Sequence, residues 1–107
     1  MAQLLKLLAQ GQLAAAKATV YTVPASTQTA LGKLMLYNTG GSLETVILYA
    51  KLSGGSSRVI GRTQLASLEW GVFDLERVGL QAGDIVEAET TTATTVDYTV
   101  SALEIGL

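Results

Sequence analysis

Turn-forming residues divide this chain into segments of strand length, and that spacing leaves little room for helices. Gly11, Pro24, the Gly40 and Gly41 pair, the Ser53-Gly54-Gly55-Ser56 run, Gly71, Gly79, Gly83 and the threonine-rich stretch 90–95 recur at short intervals. Glycine supplies the positive φ of tight turns at no steric cost, and proline presets one turn dihedral, so such residues end regular elements. Between them apolar and polar residues alternate. Over 45–52, Val46, Leu48, Ala50 and Leu52 share one face of a strand, and Ile47, Tyr49 and Lys51 share the other. Both faces begin apolar, the pattern of a central strand covered on two sides, with a second subunit as one candidate cover. Over 96–100, Val96, Tyr98 and Val100 oppose Asp97 and Thr99, one face dry and one wet. Leu103 and Ile105 then fall on the opposite parity, which predicts a bulge or a change of partner near Ala102. In 84–89, Val86 and Ala88 alternate with Glu87 and Glu89.

Segments 17–23, 31–38 and 58–65 complete the expected strands, the first and last of them rich in Val, Thr, Tyr and Ile, which suit a pleated surface. A short strand is expected over 69–75, and 52–58 reads as a hairpin turned by Gly54 and Gly55. Pro24 opens a turn between two strands. The first residues are ambiguous: Leu4, Leu5 and Leu8 suit a helix face, but Gly11 breaks it, which favours extended chain. The expected fold is therefore all-β, a single small antiparallel β-sandwich of the jelly-roll or Ig-like kind. It spans 13–107 and is preceded at 1–12 by an N-terminal arm or first strand.

Composition sharpens this. Of 107 residues, 49% are apolar, and a domain this small buries only about two-thirds of the surface its unfolded chain exposes. The surplus should face a partner. Lys6, Lys17, Lys33, Lys51, Arg58, Arg62 and Arg77 are dispersed within a net charge of −2, which argues against nucleic acid, since phosphate binding needs clustered positive charge. Lys6 interrupts the leucine-rich start and Gln10, Gly11 and Gln12 end it, so neither a secretory signal nor a membrane span is expected there.

Chemistry has few starting materials. With no histidine, a serine or threonine nucleophile lacks its usual base, and with no cysteine there is no thiolate and no transition-metal set. Glu87 and Glu89 share a face, with Asp84 and Asp97 as neighbours to consider, but outward carboxylates on a strand mainly keep a sheet soluble. Gly83-Asp84 offers one carboxylate where a calcium loop needs several, and Gly54-Gly55 lacks the lysine and helix of a phosphate loop. The expectation is a non-enzyme without cofactor. Trp70, Phe73, Tyr21, Tyr37, Tyr49 and Tyr98 could stack on a sugar, but packing at an interface is the stronger reading. The candidate interface residues are Leu4, Leu5, Leu7, Leu8, Trp70 and Phe73.

One resemblance narrows the class. The stretch from Val20 through Tyr21-Thr22-Val23-Pro24 to Ala25, followed by Thr27 and Thr29, Leu34-Met35-Leu36-Tyr37-Asn38-Thr39-Gly40 and Thr45-Val46-Ile47-Leu48-Tyr49, resembles a pattern of small structural proteins of tailed bacteriophages. The later Gly79-Leu80-Gln81-Ala82-Gly83-Asp84-Ile85-Val86 is similar to a turn that precedes a strand in many viral and sandwich domains. Ser26 departs from the pattern, which often has glycine there. The resemblance implies a virion component made in the host cytoplasm, and leaves open whether it decorates the capsid, joins head to tail or sits in a tail or fibre. Taken with the apolar surplus, the two-faced strands and the lack of catalytic groups, the leading expectation is a homo-oligomeric capsid decoration or cement protein, a trimer as first guess, bound at capsomer junctions to the major capsid protein. A head–tail connector or a tail or fibre component is the alternative. A carbohydrate-binding module built on Trp70 is the alternative from another class. In the virion reading the leucine-rich arm would add to a neighbour's sheet or groove; otherwise it is the first strand of its own sheet.

Overall fold

The computed structural model describes residues 6–76 and 78–106. Their alternating runs form strands β1 (Lys6–Gln12), β2 (Ala18–Thr22), β3 (Thr27–Asn38), β4 (Glu44–Lys51), β5 (Ser57–Leu65), β6 (Trp70–Asp74), β7 (Gly79–Leu80), β8 (Ile85–Thr90) and β9 (Val96–Gly106). The described residues contain no helix. Two antiparallel sheets pack face to face. The first runs β1-β9-β3-β6, with β7 pairing β3 further along the same side as β6; the second runs β2-β8-β4-β5. Apart from the β4–β5 hairpin and the β6–β7 link, every connection carries the chain from one sheet to the other. That order is the jelly roll.

Local chemistry explains the corners. The β4–β5 hairpin turns where expected: Gly54 has φ +74°, and the Gly55 N–H donates to Leu52 O at 2.8 Å. Pro24 lies where the chain leaves β2 in the second sheet for β3 in the first. Ser26, which stands where the phage pattern often has glycine, takes the left-handed conformation itself, with φ +54°. At the corner between β7 and β8 the carboxylate of Asp84 accepts the N–H of Ser53 (3.0 Å) and of Gln81 (2.9 Å), so it ties that turn to the hairpin.

The core lies between the sheets. Leu31, Leu34, Leu36, Val96, Val100 and Ala102 meet Val20, Val46, Leu48, Val86 and Ala88, all buried. Each fully buried leucine or valine contributes about 1.5–3 kcal/mol. Leu31 and Leu34 are three apart yet both point inward, because Gly32 and Lys33 together oppose one residue of β9 and reset the parity. This bulge on β3 replaces the one expected near Ala102. On β9, Val96, Val100 and Ala102 keep one parity, and Leu103 and Ile105 stay half-buried on the other. The odd spacing of Leu31 and Leu34 was the sign of it.

β1 pairs antiparallel with β9 of its own chain, from Lys6 opposite Ala102 to Gln12 opposite Asp97. The described part of 1–12 is therefore a first strand rather than a detached arm.

Candidate interaction surface

Strand register builds one apolar area on the outer face of the first sheet. Across it, Gln12, Asp97, Tyr37 and Trp70 form one row, and Gln10, Thr99, Met35 and Val72 form the next. Trp70 is 71% exposed and Val72 56%, and Met35 beside them is exposed too. The rings of Tyr37 and Trp70 lie 4.6 Å apart between centroids, tilted by 40°. Next to them is a shallow depression of about 180 Å³ lined by Gln10, Met35, Tyr37, Trp70, Asp97 and Thr99. Its polar rim is already engaged. The Gln12 amide donates to Asp97 Oδ1 at 3.2 Å, and the Gln10 amide to Thr99 Oγ1 at 3.5 Å. Below the apolar rows, Lys33 pairs with Glu76 at 3.2 Å and Asp74 at 3.4 Å. The hydrogen bond that Lys33 donates to Glu76 and the charge of Asp74 push the lysine pKa up. Both pairs are exposed, so they add little stability.

The turn before β6 continues this surface. Glu69 N–H donates to Ala66 O at 3.1 Å, which closes a four-residue turn whose third residue is Leu68. Leu68 has φ +59°, a conformation that usually falls to glycine at such a position, and is nonetheless 62% exposed. The turn is held from below by Asn38, which is fully buried. Its amide donates to Leu65 O and Ala66 O, both at 3.1 Å, and to Ser42 O at 2.8 Å, while its Oδ1 accepts Gly40 N–H at 2.9 Å.

The outer face of the second sheet differs in kind. Tyr49 donates to Glu89 and Ser57 to Glu87, and the Lys17 ammonium sits 4.9 Å from the centre of the Tyr49 ring. The Glu89 hydrogen bond pushes the Tyr49 phenol pKa up. Ile47 is half-buried there, with no second layer of the described residues above it. The carboxylates grouped from sequence are spread out: Glu87 and Glu89 on this face, Asp97 on the opposite face of the sandwich, Asp84 in a corner. Among the described residues no three His, Cys, Asp or Glu side chains gather as metal ligands, and no helix is long and apolar enough to cross a membrane.

The expected interface residues fare unequally. Trp70 lies fully on the surface, and Leu7 is exposed on β1. Leu8 is half-buried and packs against the core. Phe73 also turns inward: it packs on the core so closely that a Cβ on Gly61 of β5 would lie 2.7 Å from its ring. Strand alternation is the reason, since Trp70 and Val72 share the outer parity, whereas Gly71 and Phe73 share the inner. Leu4 and Leu5 lie outside the described residues. Met35, Leu68 and Val72 were not singled out from sequence, although parity with Trp70 was a sufficient signal for Val72.

No protein-family model matches this chain, and no curated protein does. Among solved structures, it is similar in fold to a chain from Bacillus endospore appendages, described as forming a novel family of disulfide-linked pili. The TM-score is 0.57 with 16% identity, over 99% of this chain and 88% of that one.

Proposed function

We propose that this protein is a structural subunit that acts by non-covalent association, with copies of itself and with other proteins of an assembly, through the outer face of its first sheet. The observation that carries this is the contiguous apolar area of Trp70, Val72 and Met35, left exposed by a sandwich whose own core is already filled. An exposed tryptophan is the type of side chain that dominates binding energy at interfaces. The 107 residues hold no cysteine, so association among them has no disulfide to rely on.

Two settings agree with such a role. The phage-like sequence pattern supports a virion protein, foremost a capsid decoration or cement protein at capsomer junctions. The pili named for the structurally similar chain support a fibre or appendage. Immuno-electron microscopy of producing cells separates them, since label on particles favours the first and label on filaments the second. The primary test is mass in solution by analytical ultracentrifugation, from low micromolar to near-millimolar protein. An oligomer weakened by Trp70→Ser is expected, and a monomer throughout refutes the proposal. The same measurement reads the order of the oligomer, for which a trimer is the first guess from sequence.

A second reading has its own support. The tilted Tyr37 and Trp70 rings beside Gln10, Asp97 and Thr99 offer stacking and hydrogen bonding together, as saccharide sites do. A glycan array probed with the protein and with Trp70→Ala tests it; no retained sugar discards it.

A further inference from the structure

We infer that the edge of β6 pairs antiparallel with the β6 edge of a second copy, across a two-fold axis beside Val72. This rests on the association reading above and specifies its contact.

The direction of the main-chain groups comes first. Asn38 N–H donates to Glu69 O at 3.0 Å, and Leu75 N–H donates to Gly32 O at 2.8 Å. These bonds flank the pairs Tyr37 with Trp70 and Lys33 with Asp74, which makes both of them the non-hydrogen-bonded pairs of the ladder. By alternation, Met35 with Val72 is another. Residues in such pairs turn their N–H and C=O away from the partner strand. Trp70 and Val72 therefore present main-chain donors and acceptors at the outer edge, where no strand of the described residues pairs.

The other long edge strands are each interrupted by an extra residue that breaks the ladder, Leu8 on β1, Val20 on β2 and Ile60 on β5, and β7, beside β6 on the same side of β3, is only two residues long. Bulges of this kind are a standard protection of sheet edges. β6 has none, its register with β3 is unbroken from Trp70 to Asp74, and it contains neither proline nor lysine. An edge unbroken over its whole length, where the others are bulged or only two residues long, finds its match in another such edge, and on a second copy that edge is β6.

The strand also complements itself. Val72 is the middle of five residues, so a two-fold axis there sets Val72 against the partner's Val72 and Trp70 against the partner's Asp74. The Met35–Val72 row continues into its copy, and the first sheets of both chains become one. Asp74, the one charge on the strand, is paired with Lys33 within its own subunit, so the contact brings no bare like charges together. Such an isologous contact closes on itself as a dimer.

Cysteine cross-linking tests this cleanly because the chain has no cysteine of its own. At the two-fold, Val72 and its copy form a hydrogen-bonded pair with Cα atoms about 5.5 Å apart, inside disulfide range. Mild oxidation should convert Val72→Cys to a covalent dimer and leave Val59→Cys, 60% exposed on the bulged β5, monomeric on denaturing gels. Val72→Pro removes an outward N–H and no bond to β3. It should keep the far-ultraviolet spectrum and weaken the dimer about tenfold or more, since both copies lose a central donor. If the wild type associates but Val72→Cys links no better than Val59→Cys, or Val72→Pro leaves the mass unchanged, this contact is refuted while the association reading stands. A wild type that is monomeric at all concentrations refutes both.

Discussion

Replacing Asn38 strikes the point where β3, the loop after it and the turn before β6 are joined. Two amide hydrogens there serve three carbonyl oxygens, those of Ser42, Leu65 and Ala66, and the amide oxygen takes the Gly40 N–H. Asn38→Ala removes all of these contacts at once. Some of the abandoned groups are near enough to the surface to be hydrated, but the bond to Leu65 O is buried. With one or two stranded groups at about 1–3 kcal/mol each, the loss should be about 2–4 kcal/mol. Asn38→Asp keeps the size but turns a second oxygen toward the three carbonyl oxygens, where an ionised carboxylate repels all three and a protonated one donates only once. It should cost more than the alanine, about 3–5 kcal/mol. For a domain of about 100 residues the alanine should lower the Tm by about 10–20 °C. Urea unfolding followed by circular dichroism, at a fixed protein concentration so that association contributes equally, measures both. An aspartate variant as stable as the alanine variant, or an alanine variant within about 0.5 kcal/mol of wild type, would refute the clamp, because surface substitutions commonly fall in that range.

Two further perturbations follow from the same structure. The Tyr21 hydroxyl bonds Thr29 at 2.8 Å and donates to Glu104 at 2.6 Å, and burial together with the Glu104 carboxylate pushes the phenol pKa from 10.0 up to about 12. The folded state thus holds this proton more tightly than the unfolded one, so its contribution is complete below pH 10 and is lost as pH rises toward 12; alkaline unfolding of Tyr21→Phe should lack this component, and an identical pH dependence would show that Tyr21 does not carry it. Leu68→Gly relieves the left-handed backbone and should raise stability by a few tenths to about 1 kcal/mol in urea unfolding, yet weaken self-association if the exposed leucine belongs to the interface; a destabilised variant would mean that the leucine packs better than its exposure suggests.

Much of the architecture is written in local pattern. The alternations of 45–52 and 84–89 became β4 and β8, with Val46, Leu48, Val86 and Ala88 inward, although the outer face of β4, expected to be covered too, has no layer of the described residues over it, and Gly54 with Gly55 made the hairpin between β4 and β5. Parity within 69–75 already separates Trp70 and Val72 from Phe73, although the sequence reading placed Trp70 and Phe73 together at an interface. Asn38 stands in the sequence only as the residue before Thr39 and Gly40, and nothing in its neighbours announces a buried amide holding carbonyls from residues 65 and 66. The placement of Pro24 was similar. A turn was expected there, but not that it would carry the chain from one sheet to the other.

Those differences have one physical origin. A period of two, a glycine at positive φ and the hydropathy of a face are properties of a few consecutive residues, and they determined that this chain would be a sandwich of short strands with apolar surface to spare. Which strands lie side by side depends on pairings between distant segments, such as β1 with β9 and β3 with β6, whose energies are collective. Only the folded chain decided that Leu8, Val20 and Ile60 would bulge at three edges, and that the fourth, with Trp70 and Val72 on it, would stay straight.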